Sequence, residues 1–373
     1  MGLLKGSWSF SRYRVAGKMP EHFDDFIDER LKRYAFTEIT SQVAEKIAGW
    51  TSLENVLDTE FSYAKYKLGA YIIFSLRMDR RSVPPSLLKL RVMEAEKKHL
   101  ADSGKKRLYR AEREDIKERV QLELMARAPK VPSFHEVCWF PESSSLIFGS
   151  LSAQTMEDFE KYFKESFQLT LQPLLPWEAI AADSTANAPS VPQTAAALNR
   201  TPQAGGEATN QVSWGREFLT WLWFKSEERN GVVDFPEGGA KEIIFVQRLV
   251  LAAGDGEYAE TVVCQGLHSD MKEGKEALRR GKKIKEARLR VSEDTTKWEF
   301  TFKADHFQFQ SLKLPAITEG EDDVDREGQN IERIYLVEKA VTTMDRLFVL
   351  FASLRQSPAW AEELSRMERW VNQ

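Results

Sequence analysis

At 373 residues, with 42% apolar and 29% charged side chains, the chain has the composition of a globular protein with a real core and room for about two domains. A formal net charge of −4 excludes a uniformly basic surface, so any contact with nucleic acid must be concentrated in a local patch. Cys138 and Cys264 are the only cysteines, far apart and without metal-ligand spacing, and no apolar run is long enough for a transmembrane helix or a signal core. These features predict a reduced cytoplasmic setting with no membrane partner.

In chain order, Ser7 to Val15 (SWSFSRYRV) alternates apolar and polar residues and predicts a half-buried strand. Pro20 to Tyr34 predicts a helix with Pro20 in its first turn and Lys32-Arg33 late, complementing the helix dipole. Tyr71-Ile72-Ile73-Phe74 predicts a central strand.

Pro84-Pro85 then opens a helical arm over residues 84–130, which Ser103-Gly104 divides and Pro129 and Pro132 close. A helix from Lys105 to Ala128 would set Lys106, Arg110, Arg113 and Lys117 on one stripe. Tyr109, Ile116 and Val120 would lie beside it, and Asp115 and Glu118 on the far side. Such a row of cations suits a polyanion with regularly placed charges. The i,i+4 pairs Arg110/Glu114 and Asp115/Arg119 equally describe a solvated helix.

Phe134 to Phe140 and Leu146 to Leu151 predict paired strands, and Met156 to Phe167 an amphipathic helix. Trp177 to Val212 is rich in Ala, Pro, Thr, Gln and Gly and reads as a linker or mobile insert. The aromatic run Glu217–Lys225 (EFLTWLWFK) reads as packing. Strands are predicted over Glu242–Ala252, Tyr258–Gln265, Lys283–Val291, Trp298–Lys303 and Phe307–Leu314. Helices are predicted over Asp270–Arg280 and Ile331–Leu354, with an acidic loop at Thr318–Asp325. The pattern predicts an α/β (α+β) fold of two similar halves, residues 1–176 and 213–373, with antiparallel-rich sheets.

A second basic cluster follows on the later helix: Lys272, Lys275 and Arg279 share a face, and Lys282, Lys283 and Lys285 come next. It too describes a solvated face as readily as a ridge. Signatures of catalysis are poor. The chain carries no Walker loop, dinucleotide fingerprint or nucleophile elbow, and its five histidines are scattered. His135 and Glu136 would point to opposite faces of a strand, which argues against a metal site there. Glu321-Asp322-Asp323 and Asp325 could serve a divalent-metal nuclease, although they lack calcium-loop spacing.

Short motifs recur in a recognisable order: Ala35-Phe36-Thr37, Ser41-Gln42, Gly49-Trp50, Val83-Pro84-Pro85, the charged Arg107–Val120 helix, Arg127-Ala128 before Trp139, and Pro173 to Pro176. Gln265, Gly281-Lys282 and Asp322-Asp323-Val324-Asp325-Arg326-Glu327 follow. In these the chain resembles the bacterial recombination-associated RdgC family, over most of its length except residues 177–212 and the extreme C-terminus. The resemblance implies a ring-shaped homodimer, closed by two interfaces, whose positively lined hole encircles duplex DNA. It implies binding of single- and double-stranded DNA with little sequence preference, restraint of RecA-promoted strand exchange, nucleoid association, and no cofactor or catalysis.

Lys106, Arg127 and Lys282 match the family's basic contacts, and Gln265 matches a polar residue at the ring's gate. The gate's aromatic is replaced by Pro129 or displaced to Phe134. Phosphate contacts are thus expected from Lys106, Arg110, Arg113, Lys117, Arg127, Lys282 and Lys283. The rival readings are a metal-dependent exonuclease using Asp322–Asp325 and a protein-interaction scaffold using Glu217–Lys225.

Overall fold

The structure, a computed structural model, describes residues 2–38, 46–61, 63–175, 206–228, 230–235, 239–253, 260–266, 271–315 and 323–373. The first half runs β1 (Trp8–Ala16), α1 (Phe23–Arg33), β2 (Lys46–Thr51), the short α2 (Tyr63–Tyr66), β3 (Lys67–Leu68) and β4 (Tyr71–Arg81). It continues through α3 (Pro85–Ser103), α4 (Arg110–Arg127), β5 (Lys130–Phe140), β6 (Ser145–Phe148), α5 (Ala153–Phe167) and β7 (Thr170–Pro173). The second half begins with α6 (Gly206–Glu228), β8 (Val232–Asp234), β9 (Ala240–Ala252), β10 (Thr261–Gly266) and α7 (Lys272–Arg279). It ends with β11 (Lys283–Glu293), β12 (Thr296–Lys303), β13 (Gln308–Lys313), α8 (Asp323–Gln356) and α9 (Trp360–Asn372).

Strand β1 joins the two halves. Trp8 and Phe10 pair antiparallel with β13, while Ser11 to Arg14 pair with β6 and Tyr13 to Ala16 with β7. The result is one 13-stranded sheet with the path β10-β9-β11-β12-β13-β1-β6-β5-β4-β2. Alternation predicted one wet face for β1, but both faces are buried. Phe10 enters the C-terminal core and Tyr13 and Val15 enter the N-terminal one. The strand is shared between two cores, and only Arg14 of it is exposed.

The N-terminal core is built on aromatics. Phe159, Phe163 and Phe167 recur at i, i+4 and i+8 along α5 and meet Trp50, Phe74 and Trp139 from the sheet. Each such ring removed from water stabilises by about 1.5–3 kcal/mol. In the C-terminal core Phe218, Trp221, Leu222 and Trp223 of α6 are buried together with Phe348 and Phe351 of α8. The aromatic run over 217–225 is therefore packing, as its composition predicts.

Several boundaries differ from the sequence expectation for physical reasons. Helix α1 begins at Phe23, which leaves Pro20 outside it. Pro132 lies inside β5 instead of ending the arm. It is tolerated because β6 pairs only with Val137 to Phe140, so around Pro132 one side of the strand has no ladder partner among the described residues. Helix α6 begins at Gly206, inside the expected 177–212 linker, and α8 begins at Asp323, inside the expected acidic loop. The rest of the linker, residues 177–205, lies outside the described residues, as do Ser41, Gln42, Pro176, Glu321 and Asp322. Helices and antiparallel strands alternate in the first half, whereas the second half places helices at both of its ends, so the resemblance between halves is architectural at most.

Candidate nucleic-acid interface

The arm is the connection of a long hairpin. Strands β4 and β5 pair from Ile72↔Trp139 to Arg81↔Lys130, and residues 82–129 fill the gap between their last partners. Helix α4 has 18 residues, so the arm projects on the order of 27 Å. At its root the Arg81 guanidinium donates to the carbonyls of Met125 (3.2 Å) and Ala126 (2.8 Å). Leu108, Ile116 and Val120 form a small core of its own with Leu88, Val92 and Leu100. Of the predicted apolar seam Ile116 and Val120 hold, but Tyr109 is exposed.

Helix α3 stops at Gly104, whose φ of 65° is the left-handed conformation glycine adopts at a helix C-cap. Helix α4 starts five residues later than predicted, at Arg110, because Glu112 reaches back to accept from the Tyr109 backbone N–H at 2.9 Å. The Glu112 carboxyl also takes a hydrogen bond from Lys105, and these two donors hold its pKa below the usual carboxylate value. Lys106 consequently sits in the turn before the helix, at the arm's tip, and not on the helical stripe.

Arg110, Arg113 and Lys117 do share a face of α4. Arg110 is 94% exposed and pairs with Glu114 at 3.1 Å; Arg113 stands 3.9 Å from Glu96, and Arg127 pairs with Glu123 at 3.2 Å. Exposed pairs of this kind contribute about 0–1 kcal/mol and exchange readily for another anion. Lys106 and Lys117 are exposed and pair with no carboxylate among the described residues.

Sequence reasoning did not assign Lys89, Lys97, Lys98, Arg107 or Arg119 as phosphate contacts, though all are exposed on the same arm. The overlooked signal is charge counting. Residues 84–130 carry thirteen lysines and arginines against eight acids, an excess of five, so a chain at −4 has −9 outside the arm.

The second cluster is placed differently. Gly281, with φ 80°, turns the chain inward, so that Lys282 is only 8% exposed and its ammonium meets Glu260 Oε2 at 2.7 Å. Lys283 shares Glu217 with Arg355, at 3.0 and 2.8 Å. Burial raises the Glu217 pKa, but Arg355 and Lys283 outweigh it and hold the carboxyl below its usual value. Lys275 reaches Glu227 at 3.0 Å and lies over the Trp370 ring. These cations hold fold elements together, while the arm's cations face solvent.

Pro129 is exposed between α4 and β5, and Gln265 is exposed on β10, the strand at one end of the sheet path. Seven strand spacings separate β5 from β10, on the order of 34 Å along a flat sheet. Phe134 is 39% exposed, and its ring lies 5.8 Å from the Arg77 guanidinium.

His135 and Glu136 face opposite sides of β5: His135 lies against Phe148, whereas Glu136 accepts from the Leu3 backbone N–H at 2.6 Å. Among the described residues no group of three or more His, Cys, Asp and Glu could hold a metal ion; Asp322 lies outside them. No helix of the described residues is long and apolar enough to cross a membrane.

An antiparallel-rich α/β chain with a cationic hairpin arm is the class this geometry defines. Residues 9–186, from β1 past β7 and including the whole arm, match the family model RdgC, described as "Putative exonuclease, RdgC", and over that segment the chain is similar to that family. No curated protein matches the chain.

Proposed function

We propose that the protein binds DNA without sequence preference, through phosphate contacts from the arm, and does no chemistry on it. In this reading two copies close into a ring around duplex DNA and, by occupying it, restrain RecA-promoted strand exchange. The observation that carries the proposal is the arm's charge: an excess of five cations on a projecting hairpin, with Lys106 and Lys117 exposed and unpaired among the described residues. Phosphate contacts without base readout bind all sequences alike and weaken steeply with salt. A ring that is acidic outside and basic inside also accommodates the −4 of the whole chain.

The phosphate contacts assigned to the arm are Lys106, Arg110, Arg113, Lys117 and Arg127. Lys282 and Lys283 join them only if DNA displaces Glu260 and Glu217, which makes theirs the weaker assignment. Replacing Lys106 and Lys117 by Glu should reduce affinity for unrelated duplexes by the same factor and flatten the salt dependence. Parent-like retention by that variant would remove the arm from the proposal.

The exonuclease reading draws on the family's printed description and uses the Asp322–Asp325 stretch, of which Asp323 opens α8. It predicts that end-labelled DNA shortens in magnesium or manganese and that Asp323→Ala abolishes the shortening. The binding reading predicts intact label in both.

A further inference from the structure

Tyr109 is the one Phe, Tyr or Trp in residues 84–130, and the fold makes no use of its ring. It is 74% exposed at the arm's tip, and among the described residues no other ring or cation lies against it. Helix N-caps favour Ser, Thr, Asp or Asn, so capping does not call for a tyrosine there either.

The turn that carries the ring is firmly held. Leu108, only 4% exposed, enters the arm's small core with Ile116 and Val120. Glu112 accepts from the Tyr109 backbone N–H at 2.9 Å and from Lys105. The backbone at Tyr109 is extended (φ −80°, ψ 163°), so consecutive side chains face opposite ways and the ring points out where Leu108 points in.

Cations flank it. Residues 105–110 read Lys-Lys-Arg-Leu-Tyr-Arg. Lys105 is taken by Glu112 and Arg110 by Glu114, but Lys106 and Arg107 are exposed and pair with no carboxylate among the described residues. Three peptide steps span at most about 11 Å, so Lys106 and Tyr109 lie within about three stacked nucleotides of one strand.

A fixed, exposed ring beside exposed cations suits a nucleic-acid strand whose bases are unpaired: the phosphates meet the cations and an open base face meets the ring. In intact duplex the base faces are covered, and a ring can enter only by unstacking a step. We propose that Tyr109 stacks on an unpaired base and so gives single-stranded DNA a contact that duplex does not receive. This rests on the DNA-binding reading and names the form of DNA that the arm's tip distinguishes.

The test is fluorescence anisotropy of the full chain with a labelled mixed-sequence strand, its blunt duplex, and an abasic strand of equal length that keeps the phosphates. Tyr109→Ala should weaken binding of the strand at least fivefold and change duplex binding less than twofold. Its melting and its salt slope should match the parent's, because the ring is exposed and no charge is lost. Tyr109→Phe, which keeps the ring face, should bind like the parent, and the abasic strand should bind the parent and Tyr109→Ala alike. Parent-like strand binding by Tyr109→Ala, while Lys106→Glu/Lys117→Glu loses affinity, overturns the stacking contact and leaves the DNA-binding reading standing. Equal losses by Tyr109→Ala on strand, duplex and abasic strand also overturn it, since the ring would then serve the arm's shape or a contact between copies. A parent that retains neither strand nor duplex at low salt overturns the DNA-binding reading and this inference with it.

Discussion

Arg12 and Asp345 form an ion pair at 2.8 Å between β1 and α8, with the Arg12 side chain only 2% exposed. The Nε and second amino group of Arg12 have no hydrogen-bond partner among the described residues, and the guanidinium lies 6.0 Å from the Phe309 ring centre. A charge taken out of water this fully depends on its counter-ion, and removing one member of such a pair leaves the other uncompensated. Asp345→Ala should lower unfolding stability by about 3 kcal/mol in urea. Replacing both residues by apolar ones of similar volume should recover most of that loss. Equal losses in the single and double variants would show that the pair itself does not hold the halves together.

Gly49 makes a second test at this scale. A Cβ there would lie 2.2 Å from the Phe36 Cα, a backbone atom with no freedom to retreat. Gly49→Ala should therefore cost about 1–3 kcal/mol by overpacking, readable as a lowered urea midpoint. A parent-like midpoint would mean that β2 shifts away freely. The Gly49-Trp50 motif of the sequence is thus a packing signature, since Trp50 is fully buried and donates to Ser166 at 3.0 Å.

Among the elements, the arm stands most apart from the rest. Its small core is self-contained, and its root is fixed by the β4–β5 ladder and by Arg81. Ile116→Ala with Val120→Ala should melt the arm's helix pair while the 13-stranded sheet unfolds at nearly the parent midpoint. Hydrogen exchange should show lost protection confined to residues 84–128. Loss of protection across β4 and β5 as well would tie the arm to the main core.

How far the elements were legible also follows from particular residues. Helices α3 and α4 were readable because Pro84-Pro85 and Gly104 punctuate them, and Ile116 and Val120 fixed the buried side of α4. The start of α4 was missed because the cap is Tyr109, an unusual residue there, and the capping partner Glu112 looked like one more surface charge. The inward turn of Lys282 was also hidden, since a lysine after a glycine reads as exposed until its carboxylate, 22 residues upstream, is placed beside it.

For the whole molecule, β1 makes the two halves one sheet, and ionic contacts reinforce the packing on it. Glu217 ties α6 to β11 through Lys283 and to the end of α8 through Arg355. Its folded pKa lies below the ordinary value, so its contribution to stability is complete above the unfolded pKa and is lost as pH falls through the depressed folded one. Urea midpoints should hold from neutral pH to about pH 5 and fall below roughly pH 4, less steeply in Glu217→Gln. An identical acid profile in that variant would show that Glu217 carries none of the dependence.

In the proposed reading, DNA contact falls mainly to the arm, whose cations face solvent while Lys282 and Lys283 are held by Glu260 and Glu217. The most direct measurement is the affinity for two unrelated duplexes across a salt series, for the parent and for a variant with Lys106, Arg110, Arg113 and Lys117 all changed to Gln. If each cation meets one phosphate, the slope of log affinity against log salt should fall in magnitude by about 3 to 4, equally for both duplexes. An unchanged slope, or a loss confined to one duplex, would contradict the account.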